Sequence, residues 1–319
     1  MTVRDHNPHS RRLHLPLVAG PAADIGRERK PSWLRVEVRT GPNFEDIKRT
    51  IRNGRLHTVC EEASCPNIWE CWEDREATFL ILGDRCTRRC GFCDVMTARP
   101  RAVDDGEPAR VAASAAAMDL NFVVITGVAR DDLPLGGAAS WAVCVRALRR
   151  AVPNCGVELL PPDFSGEGAA LEVIMEAAPD VFAHNLETVR RLHGRMRPAF
   201  DYDRSLAVLC MAKCLRPGQI TKSNLILGMG ETREEVRESL RDLLEAGCEI
   251  VTLGQYLQPT RHHAPVDRWV TPEEFAEHKA AGEAIGLAHV EAGPLVRSSY
   301  HAGRQFSAAR AAMVGGAGL

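Results

Sequence analysis

The sequence predicts an α/β protein, a partial (βα)6-type TIM barrel with N- and C-terminal extensions. Three observations predict it. From residue 77 onward, apolar β-branched stretches alternate with segments whose apolar residues recur at three- and four-residue steps. The stretches begin roughly every 25 to 45 residues, the length of a βα unit. The polar and Gly-rich segments fall just after the stretches, at the strand ends where parallel α/β folds gather ligands. A doubly wound sheet is the alternative.

The strands are expected at 77–82, 122–126, 156–160, 181–184, 223–227 and 250–256. Helices are expected between them at 108–118, 138–152, 169–178, 202–215 and 232–246. The last opens with Thr232 and Glu235, a capping-box pattern, and stops at Gly247. Residues 77–265 form the barrel in this reading. Residues 1–35 are an extended arm, 36–76 an N-terminal extension and 266–319 a C-terminal one.

Composition bounds the function. The 319 residues suffice for a sizeable core, and a 45% hydrophobic, 26% charged composition excludes a wholly disordered chain. The formal charge of −2 speaks against a nucleic-acid binder. No stretch approaches the roughly 18 apolar residues of a membrane span. Arg11-Arg12 before Leu13–Ala19 faintly mimics a secretion signal, but the apolar run is short and broken by His14 and Pro16. A cytoplasmic protein is expected.

Cysteine is the informative residue. Six of the eleven lie between 60 and 93, an uneven spacing that argues for metal chemistry in a reducing compartment rather than a disulfide framework. Cys86-Thr-Arg-Arg-Cys90-Gly-Phe-Cys93 falls in the loop after the first strand. Three thiolates there suit a cubane iron–sulfur cluster with one iron left open. Structural zinc, which wants a fourth protein ligand and paired two-residue spacings, is the alternative. Cys60, Cys65 and Cys71 form a second trio that matches neither a zinc ribbon nor a ferredoxin run. Cys144 and Cys248 fall on apolar faces and read as core; Cys210 and Cys214, one helical turn apart, read as a core stripe.

The first trio, with an aromatic before its last cysteine, resembles the signature of the radical S-adenosylmethionine (SAM) enzymes. Both trios together resemble one family of these, the lipoyl synthases. So do His57–Ala63, Gly127–Leu133, His184–Thr188, Thr221–Asn224, Gly228–Thr232, Gln255–Pro259 and Arg297-Ser298-Ser299-Tyr300. The likeness spans about residues 30–305.

The resemblance implies two 4Fe-4S clusters with SAM as co-substrate. Cys86, Cys90 and Cys93 would ligate the SAM-cleaving cluster. Cys60, Cys65, Cys71 and Ser299 would ligate an auxiliary cluster that is consumed as the sulfur source. A 5′-deoxyadenosyl radical would abstract hydrogen from C6 and C8 of an octanoyl group amide-linked to a carrier protein, and sulfur would be inserted at both carbons. The carrier would be a lipoyl domain of a 2-oxoacid dehydrogenase or the glycine-cleavage H protein, and the electron donor a ferredoxin or flavodoxin. A sulfurtransferase with neither a nucleic-acid nor a membrane partner is implied.

Gly136 and Gly137 sit where the superfamily places a Gly-Gly-Glu-like SAM contact, although Leu135 and Ala138 depart from that pattern. Asn185, Glu187 and Glu231 are further SAM candidates; for Asn185 and Glu187 a helix cap is the plainer alternative. Lys222 and Ser223 begin a strand and so belong at the opposite end of the barrel. The Arg190, Arg191, Arg195 and Arg197 set is ordinarily a solvated face and alternatively a docking face for an acidic carrier. His262-His263 reads as substrate contact or packing. Two rival functions are a biotin-synthase-like sulfur-inserting enzyme and a non-enzymatic iron–sulfur or zinc carrier.

Overall fold

A computed structural model describes residues 30–316 apart from Glu37 and Arg39. Most of the expected 1–35 arm therefore lies outside the described residues. Among the described residues ten strands occur: β1 (His57–Thr58), β2 (Thr78–Ile81), β3 (Arg85–Cys86), β4 (Met96–Thr97), β5 (Phe122–Gly127), β6 (Gly156–Leu160), β7 (Val181–Ala183), β8 (Ile220–Leu227), β9 (Ile250–Gln255) and β10 (His289–Gly293). The main sheet runs β1-β2-β5-β6-β7-β8-β9-β10. All its pairings are parallel except β1 on β2. Spatial order follows chain order, as in a (βα)n barrel. The edges β1 and β10 do not pair with each other, so the barrel is partial.

The six expected strands are present, within a few residues of their expected bounds; β8 starts three residues early. A seventh parallel strand, β10, and its helix Pro272–Ala284 extend the sheet beyond residue 265. A start signal for that helix is present: Thr271 accepts from the Glu274 amide and Pro272 occupies the first turn. Its weakly amphipathic pattern hides it, because Glu274 and His278 are buried as a hydrogen-bonded polar pair alongside Phe275.

The helices pack on the convex side through regular apolar stripes. Helix Ala138–Ala151 buries Trp141, Ala142, Cys144, Val145 and Leu148, a three- and four-residue repeat. Trp141 is fully enclosed and its ring lies against Gly127, where any Cβ would come within 2.7 Å of it. Truncating that ring to alanine costs about 3–5 kcal/mol. The capping box at Thr232 and Glu235 forms, and Gly247 takes the left-handed conformation (φ +80°) just after that helix.

Cys144 and Cys248 are core, as expected. Cys210 and Cys214 are not: both are exposed. Helix Tyr202–Leu215 buries Tyr202, Ser205, Val208, Leu209 and Ala212, and positions 210 and 214 lie off that stripe.

Candidate metal centres and co-substrate cavity

A cavity of about 1000 Å³ opens on the concave face of the sheet and is walled by residues of β2, β5, β6, β8 and β9. All six clustered cysteines reach it, and so does Ser299.

The loop carrying Cys86, Cys90 and Cys93 leaves β2 through Leu82 and Gly83, both at positive φ (+68° and +92°). The miniature parallel pair β3–β4 closes its base. The Arg88 and Ala129 amides donate to Cys86 Sγ at 3.4 and 3.3 Å. The Gly91 amide donates to the Met196 carbonyl, and the Gly91 carbonyl accepts from Ala264. Arg88, between the first two cysteines, is buried and pins the loop. It forks onto Asp131 at 2.6–3.1 Å and reaches Asp163 and Ser165. Asp163 is fully enclosed and also accepts from Arg204 Nε at 2.6 Å. The two guanidinium groups outweigh the burial penalty and pull its carboxyl down to about 2.

Cys60, Cys65 and Cys71 arise differently. Cys60 lies on the short helix Val59–Glu62, which is capped by Thr58, and Cys71 on the helix Ile68–Glu73. The Cys65 amide bonds back to the Cys60 carbonyl. Ser64 donates to Asp94 at 2.9 Å, tying this loop to the one beside Cys93. The C-terminal segment closes the wall: Asn67 Nδ2 donates to the Leu295 carbonyl at 2.6 Å and Tyr300 to Glu70 at 3.2 Å.

Every thiol in both trios is held above the ordinary cysteine range, first by desolvation. Cys60 is pushed up to about 12 and Cys90 to about 11. Neighbouring thiols of the same trio add to this, Cys60 and Cys65 raising Cys71, and Cys86 and Cys90 raising Cys93. Guanidinium groups oppose the shift: Arg88 beside Cys86, Arg197 beside Cys90 and Arg297 beside Cys65. Three soft donors with too little positive charge to ionise them all suit a cationic, thiophilic centre. The donor sets therefore fit two iron–sulfur clusters, with Ser299 available as an oxygen donor to the second.

The other predicted residues divide. Asn185 and Glu187 reach the cavity. Asn185 Nδ2 donates to Glu187 Oε1 and Asn224 Nδ2 to Glu187 Oε2, both at 2.9 Å. Burial raises the Glu187 carboxyl, and Arg197 and the two amides oppose it. Gly136, Gly137 and Glu231 are not brought to the wall. Gly136 abuts Phe164 and Gly137 abuts Leu133 and Leu82. The Glu231 carboxylate accepts the Gly228 and Met229 amides at 2.6 and 2.9 Å, closing its own loop.

Lys222 is fully buried against Glu158 at 3.0 Å, near the start of β8 and away from the strand ends. His263 is a packing residue: its ring bridges Thr260 and the Cys93 carbonyl at 2.9 and 3.0 Å.

The arginine set is not one solvated face. Arg190 pairs with Asp203 and Arg191 with Glu235, while Arg197 is buried, stacked 3.8 Å over Phe200 and donating to the Asn185 carbonyl at 2.7 Å. The local sequence hid Arg197, because helix Arg190–Met196 ends just before it and turns the side chain inward. Arg88 was equally illegible, since its partners Asp131 and Asp163 lie 43 and 75 residues away.

A partial parallel barrel with three thiols in the loop after its first strand defines the radical SAM class. Residues 80–243 match the Radical SAM superfamily model, and residues 20–65 match the N-terminal domain of lipoyl synthase of that family. A lipoyl synthase of Mycobacterium ulcerans is 54% identical over 95% of this chain and 97% of its own. That of Nocardia farcinica is 58% identical over 89% and 80%. The chain belongs to the lipoyl synthase family and is a sulfurtransferase enzyme. Among solved structures, the [FeFe]-hydrogenase maturase HydG of Carboxydothermus hydrogenoformans aligns with a TM-score of 0.55 at 12% identity, over 83% of this chain and 68% of its own. Methylornithine synthase gives 0.50 at 16% identity, over 60% and 55%. These two likenesses concern the fold alone.

Proposed function

We propose that the chain inserts two sulfur atoms, at C6 and C8, into an octanoyl group carried on a lysine of a lipoyl-carrier protein, in the cytoplasm. The observation that carries this reading is the pair of thiol trios on one cavity, each with an arginine beside it. When bound, the two clusters supply the electron that splits SAM and the sulfur that is inserted. Cys86, Cys90 and Cys93 would hold the first cluster; Cys60, Cys65, Cys71 and Ser299 would hold the second.

The protein's own work is placement. The Arg88 anchor keeps the first loop in register with the strand ends. Asn185 and Glu187 present an amide and a carboxylate to the polar groups of SAM. The cavity wall excludes water from a radical that any misplaced hydrogen donor would quench. The carrier is a lipoyl domain or a glycine-cleavage H protein, and a ferredoxin or flavodoxin delivers electrons.

Anaerobic reconstitution tests the reading. The wild type should hold roughly eight irons with matching sulfide, and a Cys86/Cys90/Cys93→Ala variant roughly four. An octanoyl-lysyl peptide with SAM and a reductant should then gain two sulfurs. Zinc without sulfide would sink the proposal.

A further inference from the structure

The segment of residues 295–300 touches both halves of the cavity. On the auxiliary side it is held by Asn67 on the Leu295 carbonyl and by Tyr300 on Glu70. On the barrel side it lies so close to β9 that a Cβ on Gly254 would fall 2.0 Å from the Val296 oxygen. One side-chain hydrogen bond joins it to the barrel interior: Ser298 Oγ donates to Asn185 Oδ1 at 3.0 Å, across 113 residues of chain.

That bond heads a chain with only one consistent polarity. Asn185 Nδ2 donates to Glu187 Oε1, Asn224 Nδ2 to Glu187 Oε2, and Thr252 Oγ1 to Asn224 Oδ1 at 2.7 Å. As a carboxylate, Glu187 accepts from both amides, which turn their nitrogens toward it. Asn185 Oδ1 is thereby left facing the C-terminal segment, and it needs a donor there. Ser298 is that donor. The Asn185 main chain is also tied to Arg197, the guanidinium beside Cys90. A path of hydrogen bonds thus runs from the neighbour of Ser299 to the residues beside the first trio.

We propose that Ser298 is a positioning residue that registers the C-terminal segment on Asn185, so that the SAM half of the cavity is fully formed only when the segment bearing Ser299 is seated. This rests on the reading of Asn185 as part of the SAM pocket. It gives the two serines separate duties: Ser299 serves the auxiliary centre as proposed above, and Ser298 reports its closure to the SAM side.

The test uses the reconstituted full chain. Ser298→Ala should keep the wild-type iron and sulfide per chain. SAM affinity, read from the SAM-induced change in the cluster EPR signal, should fall about five- to ten-fold, the size of one neutral hydrogen bond. Ser298→Thr, which keeps the donor, should restore it. In an Asn185→Ala background the Ser298→Ala change should have no further effect on SAM binding. In the metal-free protein, amide exchange across 294–300 should quicken in Ser298→Ala and not in Ser298→Thr.

Unchanged SAM affinity in Ser298→Ala overturns the proposal. So does loss of about half the iron with SAM affinity intact, which would confine Ser298 to the auxiliary side. Additive effects in the double variant overturn it too. A wild type that binds only one cluster is a different failure, that of the functional reading itself.

Discussion

The two thiol trios share a cavity and are built in opposite ways. Cys86, Cys90 and Cys93 sit on a loop that the barrel itself produces, anchored by a buried ion network through Arg88, Asp131, Asp163 and Arg204. Cys60 and Cys71 sit on two short helices and Cys65 on the loop between them, outside the parallel strands, closed by a segment more than 220 residues away through hydrogen bonds and the His301–Glu76 pair. On the proposed function, that difference suits a first centre that persists through turnover and a second that is dismantled. A buried, multiply paired guanidinium strongly resists opening. A wall closed by hydrogen bonds worth about 1 kcal/mol each opens readily.

Removing ligands separates the two regions most sharply. Cys86/Cys90/Cys93→Ala should abolish both SAM cleavage and sulfur insertion. Cys60/Cys65/Cys71→Ala should abolish insertion alone, with 5′-deoxyadenosine still formed on chromatographic assay. Loss of SAM cleavage in the second variant would erase the division of labour.

Ser299 tests whether the second centre is built to come apart. Ser299→Cys should hold roughly eight irons more firmly against a chelator, since thiolate replaces hydroxyl. Sulfur insertion should nevertheless fall about ten-fold or more, because that iron no longer leaves. An unimpaired Cys variant would remove the advantage of an oxygen ligand.

The anchor of the first loop comes next. Asp163→Asn leaves Arg88 short of a buried carboxylate and should cost about 3–5 kcal/mol of stability by urea unfolding of the metal-free protein. Asp131→Asn, at the 41%-exposed partner of the same arginine, should cost about 1 kcal/mol or less. Equal costs would mean that the anchoring lies elsewhere.

Acid should act on the two regions with opposite sign. His184 and His193, on the barrel side, are held down to about 4 by burial and by Arg197. Their contribution is complete above the unfolded value near 6.5 and is lost as the pH falls toward 4, on the order of 2 kcal/mol each by pH 5. His57, on the auxiliary side, is raised by its hydrogen bond to Glu62 at 2.9 Å. Its contribution is complete below 6.5 and is lost as the pH rises through its raised folded value. Hydrogen exchange of the metal-free chain at pH 5.5 and 7.5, corrected for intrinsic rates, should show the barrel loops loosening in acid and residues 57–62 tightening. Parallel loosening of both would contradict this assignment.

The smallest effect is expected far from both centres. Cys210→Ser with Cys214→Ser, at exposed positions, should change stability by less than about 0.5 kcal/mol and leave the iron content unchanged.

Much of this architecture was legible in the chain. The strand–helix rhythm located six of the seven parallel strands, because a buried parallel strand must be apolar and its covering helix must carry a stripe. Capping at Thr232 was readable because its partner, Glu235, lies three residues away. The thiol trios were readable because their members are neighbours in sequence. Misread residues were those whose surroundings come from elsewhere. Cys210 and Cys214 share a helix face, but the sequence pattern does not say which face the sheet covers. Glu231 has the right position for a ligand contact, yet its own loop amides take up its carboxylate.

The sequence by itself therefore determined the fold class and, through motifs that resemble one family, the candidate donor sets, since each lies in local spacing and periodicity. Only the tertiary structure decided that Arg88 is an anchor, that Arg197 points inward and that Ser298 meets Asn185. Those are pairings between strand ends and loops 43, 12 and 113 residues apart. Nothing in a linear pattern encodes them, because they exist only after the sheet has curled and brought its loops to one end.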